Sequence, residues 1–179
     1  MIKKLLFLFT LVAFIITANS QNNPKKLKSS FNKAIEDTVL KKYTAPMNDA
    51  EVVEENKDDN EFTAKPTSFK SKDSSVYSVL DGTVTAVARI ENFKIVIINN
   101  GTLFYTYSNL GSTTLKRGDL VKKDQLIGYA GYTLDGNGPV LDFYVSDSAK
   151  NISLTKENFT TRKNKSLTDH SFDPMNEPR

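Results

Sequence analysis

The sequence predicts a compact all-β domain, an antiparallel β-sandwich or barrel-like unit with a short N-terminal helix and flexible flanks. Three observations lead there. All eight glycines of the 179 residues fall between Gly82 and Gly138, where a chain that turns often would need them. Between them lie short runs of Val, Ile, Leu, Phe, Tyr and Thr, the residues enriched in strands. The dipeptides Asp81-Gly82 and Asn100-Gly101 are hairpin-turn signals.

Taken in order, residues 1–20 open with Lys3 and Lys4, continue apolar from Leu5 to Ala18, and end in Ala18-Asn19-Ser20. A basic start, a short apolar core and small residues at its end describe a secretory signal peptide. The apolar run is shorter than the roughly twenty residues that span a bilayer. An uncleaved membrane anchor is the alternative, and on the sequence alone it is the one expected route to a membrane partner. Residues 21–73 read as a short helix followed by a charged linker. Ser30 is placed to cap a helix from Phe31 to about Lys42, with Phe31, Ile35 and Val39 four apart on one face. Asp49 to Lys72 is dense in charge and poor in large apolar residues, the composition of a solvated linker.

The β domain is expected over residues 74–160. Val76 to Leu80 forms a strand ended by Asp81-Gly82, and Thr83 to Ile90 follows with Val84, Ala86, Ala88 and Ile90 toward the core. Glu91-Asn92 turns the chain into Phe93 to Ile98, and Asn99-Asn100-Gly101 returns it into Thr102 to Tyr107. Ile95 and Ile97 alternate with Val96 and Ile98, so this strand is apolar on both faces and belongs in the middle of the sheet system. Leu141, Phe143 and Val145 form a closing strand, and residues 161–179 read as a polar tail.

Charge gives little direction. The chain carries a formal +3, two lysines of which lie in the first 20 residues, so nothing points to nucleic acid or another polyanion. There is no cysteine, hence no disulfide framework and no lipid-modified cysteine. The single histidine, His170, lies in the polar tail.

The ordered motifs Asp81-Gly82-Thr83-Val84, Tyr107-Ser108-Asn109-Leu110, Arg117-Gly118-Asp119-Leu120-Val121, Leu126-Ile127-Gly128 and Gly138-Pro139-Val140-Leu141-Asp142-Phe143 resemble the LytM-type, M23 family of zinc metallopeptidases. Family members cut peptide cross-links in bacterial cell walls. The resemblance implies the family's β fold, a duplicated hybrid motif, and a groove at Tyr105, Tyr107, Asn109, Val140, Asp142 and Tyr144. The family pattern has Tyr-x-His-Leu where Tyr107-Ser108-Asn109-Leu110 stands, and Gly-Pro-His-Leu-His-Phe where Gly138 to Phe143 stands. It also has a His-x-x-x-Asp motif ahead of Val76, and Thr67 to Lys72 offers none. A catalytic zinc needs about three protein ligands, and only Asp142 remains at a matching position. The expectation is therefore a domain with no catalytic residues, no metal and no cofactor. Such a domain would be exported to the periplasm or cell envelope of a bacterium, where it binds peptidoglycan or regulates a wall hydrolase, as family members without the zinc residues activate wall amidases. Two alternatives stand beside it: an active peptidase with an atypical site built on Asp142, and a biotinyl- or lipoyl-like sandwich domain, suggested by the turns of Gly118 to Gly128.

Overall fold

Among the described residues from Tyr43 onward, strand is the main secondary structure, built on runs of β-branched and aromatic residues. A computed structural model describes residues 32–33, 36, 38, 41–53, 65–132, 138–147 and 151–164. Its strands are β1 (Tyr43–Asn48), β2 (Glu51–Val53), β3 (Thr67–Lys70), β4 (Ser75–Tyr77), β5 (Gly82–Ile90), β6 (Phe93–Asn99), β7 (Phe104–Ser112), β8 (Leu120–Val121), β9 (Leu126–Tyr132), β10 (Pro139–Ser146), β11 (Asn151–Ile152) and β12 (Phe159–Arg162), with a 3-10 turn at Lys156–Asn158. Of the expected helix, Asn32, Lys33, Glu36 and Thr38 are helical, Lys41 and Lys42 are not, and the rest lies outside the described residues, as do residues 1–20 and the tail from residue 165. Among the described residues no helix is long and apolar enough to cross a membrane.

The strand order is β12-β1-β4-β9-β10-β7-β6-β5-β8, with β3 and β11 also on β10 and β2 on β3. Every pairing is antiparallel except β1 with β12, which is parallel. The all-β expectation holds, and the parallel pair is an addition to it. It arises because β1 comes from the stretch assigned to helix and linker, so its partner is reached from the far end of the chain.

This corrects the start of the folded unit. Residues 43–53 and 67–73 were expected in helix and linker, yet Met47 and Phe69 are completely buried. Charged residues hid these strands because β2 is half-exposed and alternates outward Glu51 with inward Val52. The folded chain also continues past residue 160 to β12. The expected linker residues 54–64 lie outside the described residues.

Two apolar clusters lie on opposite faces of the central strands. The larger gathers Met47, Phe69, Val76, Val84, Val96, Ile98, Tyr105, Tyr107, Leu110, Leu141, Phe143 and others; the smaller holds Ala86, Ile95, Ile97 and Phe104. Thus β6 is covered on both faces, as its double apolar pattern predicts. Burying each large side chain contributes about 1.5–3 kcal/mol. In β5 the expected single core face is split instead. The β5–β6 register slips between Val84 and Ala86, sending Val84 to one cluster and Ala86 to the other. Asp81-Gly82 also joins no hairpin, since β4 pairs with β1 and β9 while β5 pairs with β6 and β8. Gly82 serves proximity: a Cβ there would lie 2.5 Å from Ile98 Cγ2 and 2.7 Å from the Asn99 carbonyl oxygen.

Candidate functional site

The middle of the sheet is β10, and its alternation decides what can face outward. Pro139, Leu141, Phe143 and Val145 are buried, whereas Val140, Asp142, Tyr144 and Ser146 are half-buried on the opposite face. β3 and β7 flank β10, pairing Asp142 with Ser68 and with Ser108, Val140 with Lys70, and Tyr144 with Thr106. Residues directly opposite one another in a ladder share a face. A row of polar side chains therefore crosses three strands around Asp142.

The chemistry of that row is hydrogen bonding. Ser68 Oγ donates to Asp142 Oδ1 at 2.7 Å, across strands remote in sequence. Asn109 reaches the same region through a bulge. The β6–β7 register slips so that Ser108 and Asn109 together oppose Ile95. Asn109 takes φ of +64°, a conformation asparagine tolerates better than most residues. Its Nδ2 donates to the Val140 carbonyl oxygen at 2.6 Å.

The sheet continues into β9, where Gly131 pairs with Val140. The ring of Phe93 lies over Gly131, and a Cβ there would come within 2.5 Å of it. Two residues away, Tyr129 shares the Gly131 face and is 46% exposed. Strand pairing thus brings Tyr129, Val140, Asp142, Ser108, Ser68 and Tyr144 onto one face.

Of the six expected groove residues, the structure groups Asn109, Val140, Asp142 and Tyr144 and removes two. Tyr105 is 2% exposed and Tyr107 fully buried, both in the main core. Tyr107 pairs with Phe143, on the face opposite Asp142, and its ring meets the Phe143 ring edge-on at 5.2 Å. Its hydroxyl accepts the Val79 N–H at 2.9 Å, and the Tyr105 hydroxyl lies 3.4 Å from that of Tyr43. Burial pushes the Tyr107 phenol up to about 12, and that of Tyr105 also upward. These tyrosines are structural. The sequence places Tyr107 and Asn109 two apart, as if on one face, because the bulge between them leaves no local signature.

Residues not anticipated as site members are Ser68, Lys70, Ser108 and Tyr129. Ser68 lay in the presumed linker, and Ser108 was one residue from the expected face. Tyr129 carried a usable signal: a large aromatic between Gly128 and Gly131 in a β-prone run.

The sequence of residues 66–154 matches the profile of peptidase family M23. No curated protein matches this chain. Among solved structures, the fold is similar to a chain of the SpoIIQ–SpoIIIAH pore-forming complex, at 20% identity and TM-score 0.54, covering 74% of this chain and 99% of that one. It is also similar to Csd3 of Helicobacter pylori, at 22% identity and TM-score 0.54, covering 69% of this chain and 34% of that one. Likenesses at this identity establish the fold alone, and this chain spans about a third of the Csd3 structure. The profile match and the fold displace the biotinyl or lipoyl alternative. Residues 66–154 of this chain belong to peptidase family M23.

Proposed function

We propose that this chain is a non-catalytic M23-type module of the bacterial cell envelope, which binds peptidoglycan or regulates a wall hydrolase such as an amidase. The observation that carries the reading is the donor set on the β10 face. A catalytic zinc takes about three nitrogen, sulfur or carboxylate ligands and keeps a position open for water. Here Val140 has no donor atom, the Asn109 amide is turned onto the Val140 carbonyl, and Ser68 has only a hydroxyl. Asp142 alone is a conventional ligand, and it accepts the Ser68 hydrogen bond. Among the described residues no three His, Cys, Asp or Glu side chains are placed to share an ion. These residues do not fit the zinc that the family uses, so no hydrolytic step is derived through it.

What they do fit is a polar ligand with donors, acceptors and a face to stack on. Half-buried Ser108 and Asp142 supply hydrogen-bonding groups, with Asp142 held by the buried Ser68 hydroxyl, Lys70 supplies a cation, and half-exposed Tyr129 an aromatic surface. A glycan carrying a short peptide presents complementary hydroxyl, amide and carboxylate groups. The signal-peptide pattern of residues 1–20 supports an envelope location.

Co-sedimentation of the full chain with purified peptidoglycan, with and without a chelator, tests the reading. Retention should survive the chelator, and Tyr129→Ala should weaken it by roughly 3- to 10-fold, the worth of one aromatic contact. If the chain is not retained and also leaves the rate of a wall amidase unchanged, the proposal fails.

A further inference from the structure

At the β8 edge of the sheet, the segment Lys116 to Gln125 forms a turn-rich platform. β8 is the terminal strand of the sheet and is only two residues long. Val121 is buried, so Leu120 points outward and is 76% exposed, more than the other exposed large apolar side chains of the described residues. A turn precedes β8, closed by the Asp119 N–H donating to the Lys116 carbonyl at 3.2 Å. A second follows it, closed by the Gln125 N–H donating to the Lys122 carbonyl at 3.1 Å. These turns set Lys116 and Arg117 on one side of Leu120, and Lys122 and Lys123 on the other, all four exposed.

The carboxylates nearby are drawn into the platform's own backbone. Asp119 accepts the Lys116 N–H at 2.8 Å, and Asp81 accepts the Lys123 N–H at 2.6 Å. Asp124 pairs with Arg162. Among the described residues the one ion pair to a platform lysine, Lys122 with Asp81, is 4.0 Å long between exposed side chains and is worth little. The platform is also held rigidly. Gly118 N–H donates to the Val84 carbonyl and Asp124 N–H to the Ser78 carbonyl, both at 2.8 Å.

We propose that this platform is a docking site for an anionic lipid surface, with Leu120 entering the interface and Lys116, Arg117, Lys122 and Lys123 pairing with headgroups. The cations alone would suit any polyanion. A bare leucine at their centre selects the lipid, because a soluble polyanion offers it nowhere apolar to go. Pre-formed turns lower the ordering cost of such docking. The inference does not depend on the β10 face.

The chain has no cysteine, so Leu120→Cys gives a single attachment point for an environment-sensitive dye. Full-length labelled protein would be mixed with vesicles of phosphatidylcholine alone, or of phosphatidylcholine with phosphatidylglycerol, and with polyglutamate. A second preparation labelled at exposed Thr161 would serve as the reference. The reading expected is a blue shift at position 120 with phosphatidylglycerol vesicles only, with no shift at 161. Lys122→Glu with Lys123→Glu should lower that partition by about 10-fold or more, with an unchanged circular dichroism spectrum. Binding through residues 1–20 alone would leave the dye at 120 unshifted and overturn the proposal. So would equal shifts on both vesicles, or a response to polyglutamate without one to vesicles.

Discussion

Tyr107 shows how one side chain can hold a fold while sitting where the family motif implies a site. Its ring fills the core beside Phe143, and its hydroxyl is the hydrogen-bond partner of the Val79 N–H. Tyr107→Phe keeps the ring and leaves that donor unsatisfied, so the expected cost is about 1–2 kcal/mol in urea unfolding. Burial raises the phenol of Tyr107 to about 12 from an unfolded value of about 10. The folded state therefore holds this proton more tightly than the unfolded state does. The stability it contributes is complete below about pH 10 and is lost as pH rises toward 12. Tyrosinate absorbance and circular dichroism should change together over that range, and separate transitions would contradict the assignment.

Within single elements, backbone proximity decides more than glycine's turn-forming freedom. Gly128 in β9 lies so close to β7 that a Cβ would sit 2.4 Å from the Ser112 carbonyl oxygen. Because that atom is backbone, Gly128→Ala must move a strand, with an expected cost of about 1–3 kcal/mol by thermal unfolding. By contrast, Gly101 and Gly118 have positive φ and open space around them, the conformational role that their turn contexts suggest. Strand existence was legible for β5, β6, β7 and β10 because each carries a strong local pattern. Facing was legible for β6, where both sides are apolar, and for the alternating Leu141, Phe143 and Val145 of β10. In β5 and β7 it was not, because the bulges at Val84–Ala86 and Ser108–Asn109 exchange the faces partway along. The candidate site inherits this limit. Val140, Asp142 and Tyr144 could be read as one row, whereas Ser68 and Ser108 required the cross-strand register.

For the molecule as a whole, the fold is completed by its ends. β1 and β12 meet in parallel, the Arg162 Nε donates to the Ala45 carbonyl at 2.9 Å, and the Arg162 guanidinium lies 4.6 Å from the centre of the Tyr77 ring. Phe159 packs on Phe69 at 4.8 Å between ring centres, so β12 closes over β3 as well. Composition could not reveal these ties, since each flanking strand is short and half polar. A chain of residues 74–160, the domain that composition delimits, lacks β1, β2 and β3 and exposes the fully buried surroundings of Met47 and Phe69. It should show no cooperative melting transition, whereas residues 41–164 should melt cooperatively.

If, as proposed, the M23 fold here serves binding without hydrolysis, peptidoglycan should release no additional soluble fragments in its presence. Full-length protein, supplied with zinc and incubated with purified peptidoglycan, would be followed by mass spectrometry of the supernatant. The supernatant should hold the same fragments as a no-protein control, with the protein itself retained on the pellet. Cross-link peptides appearing in the supernatant, and vanishing with a chelator or with Asp142→Ala, would contradict the proposal.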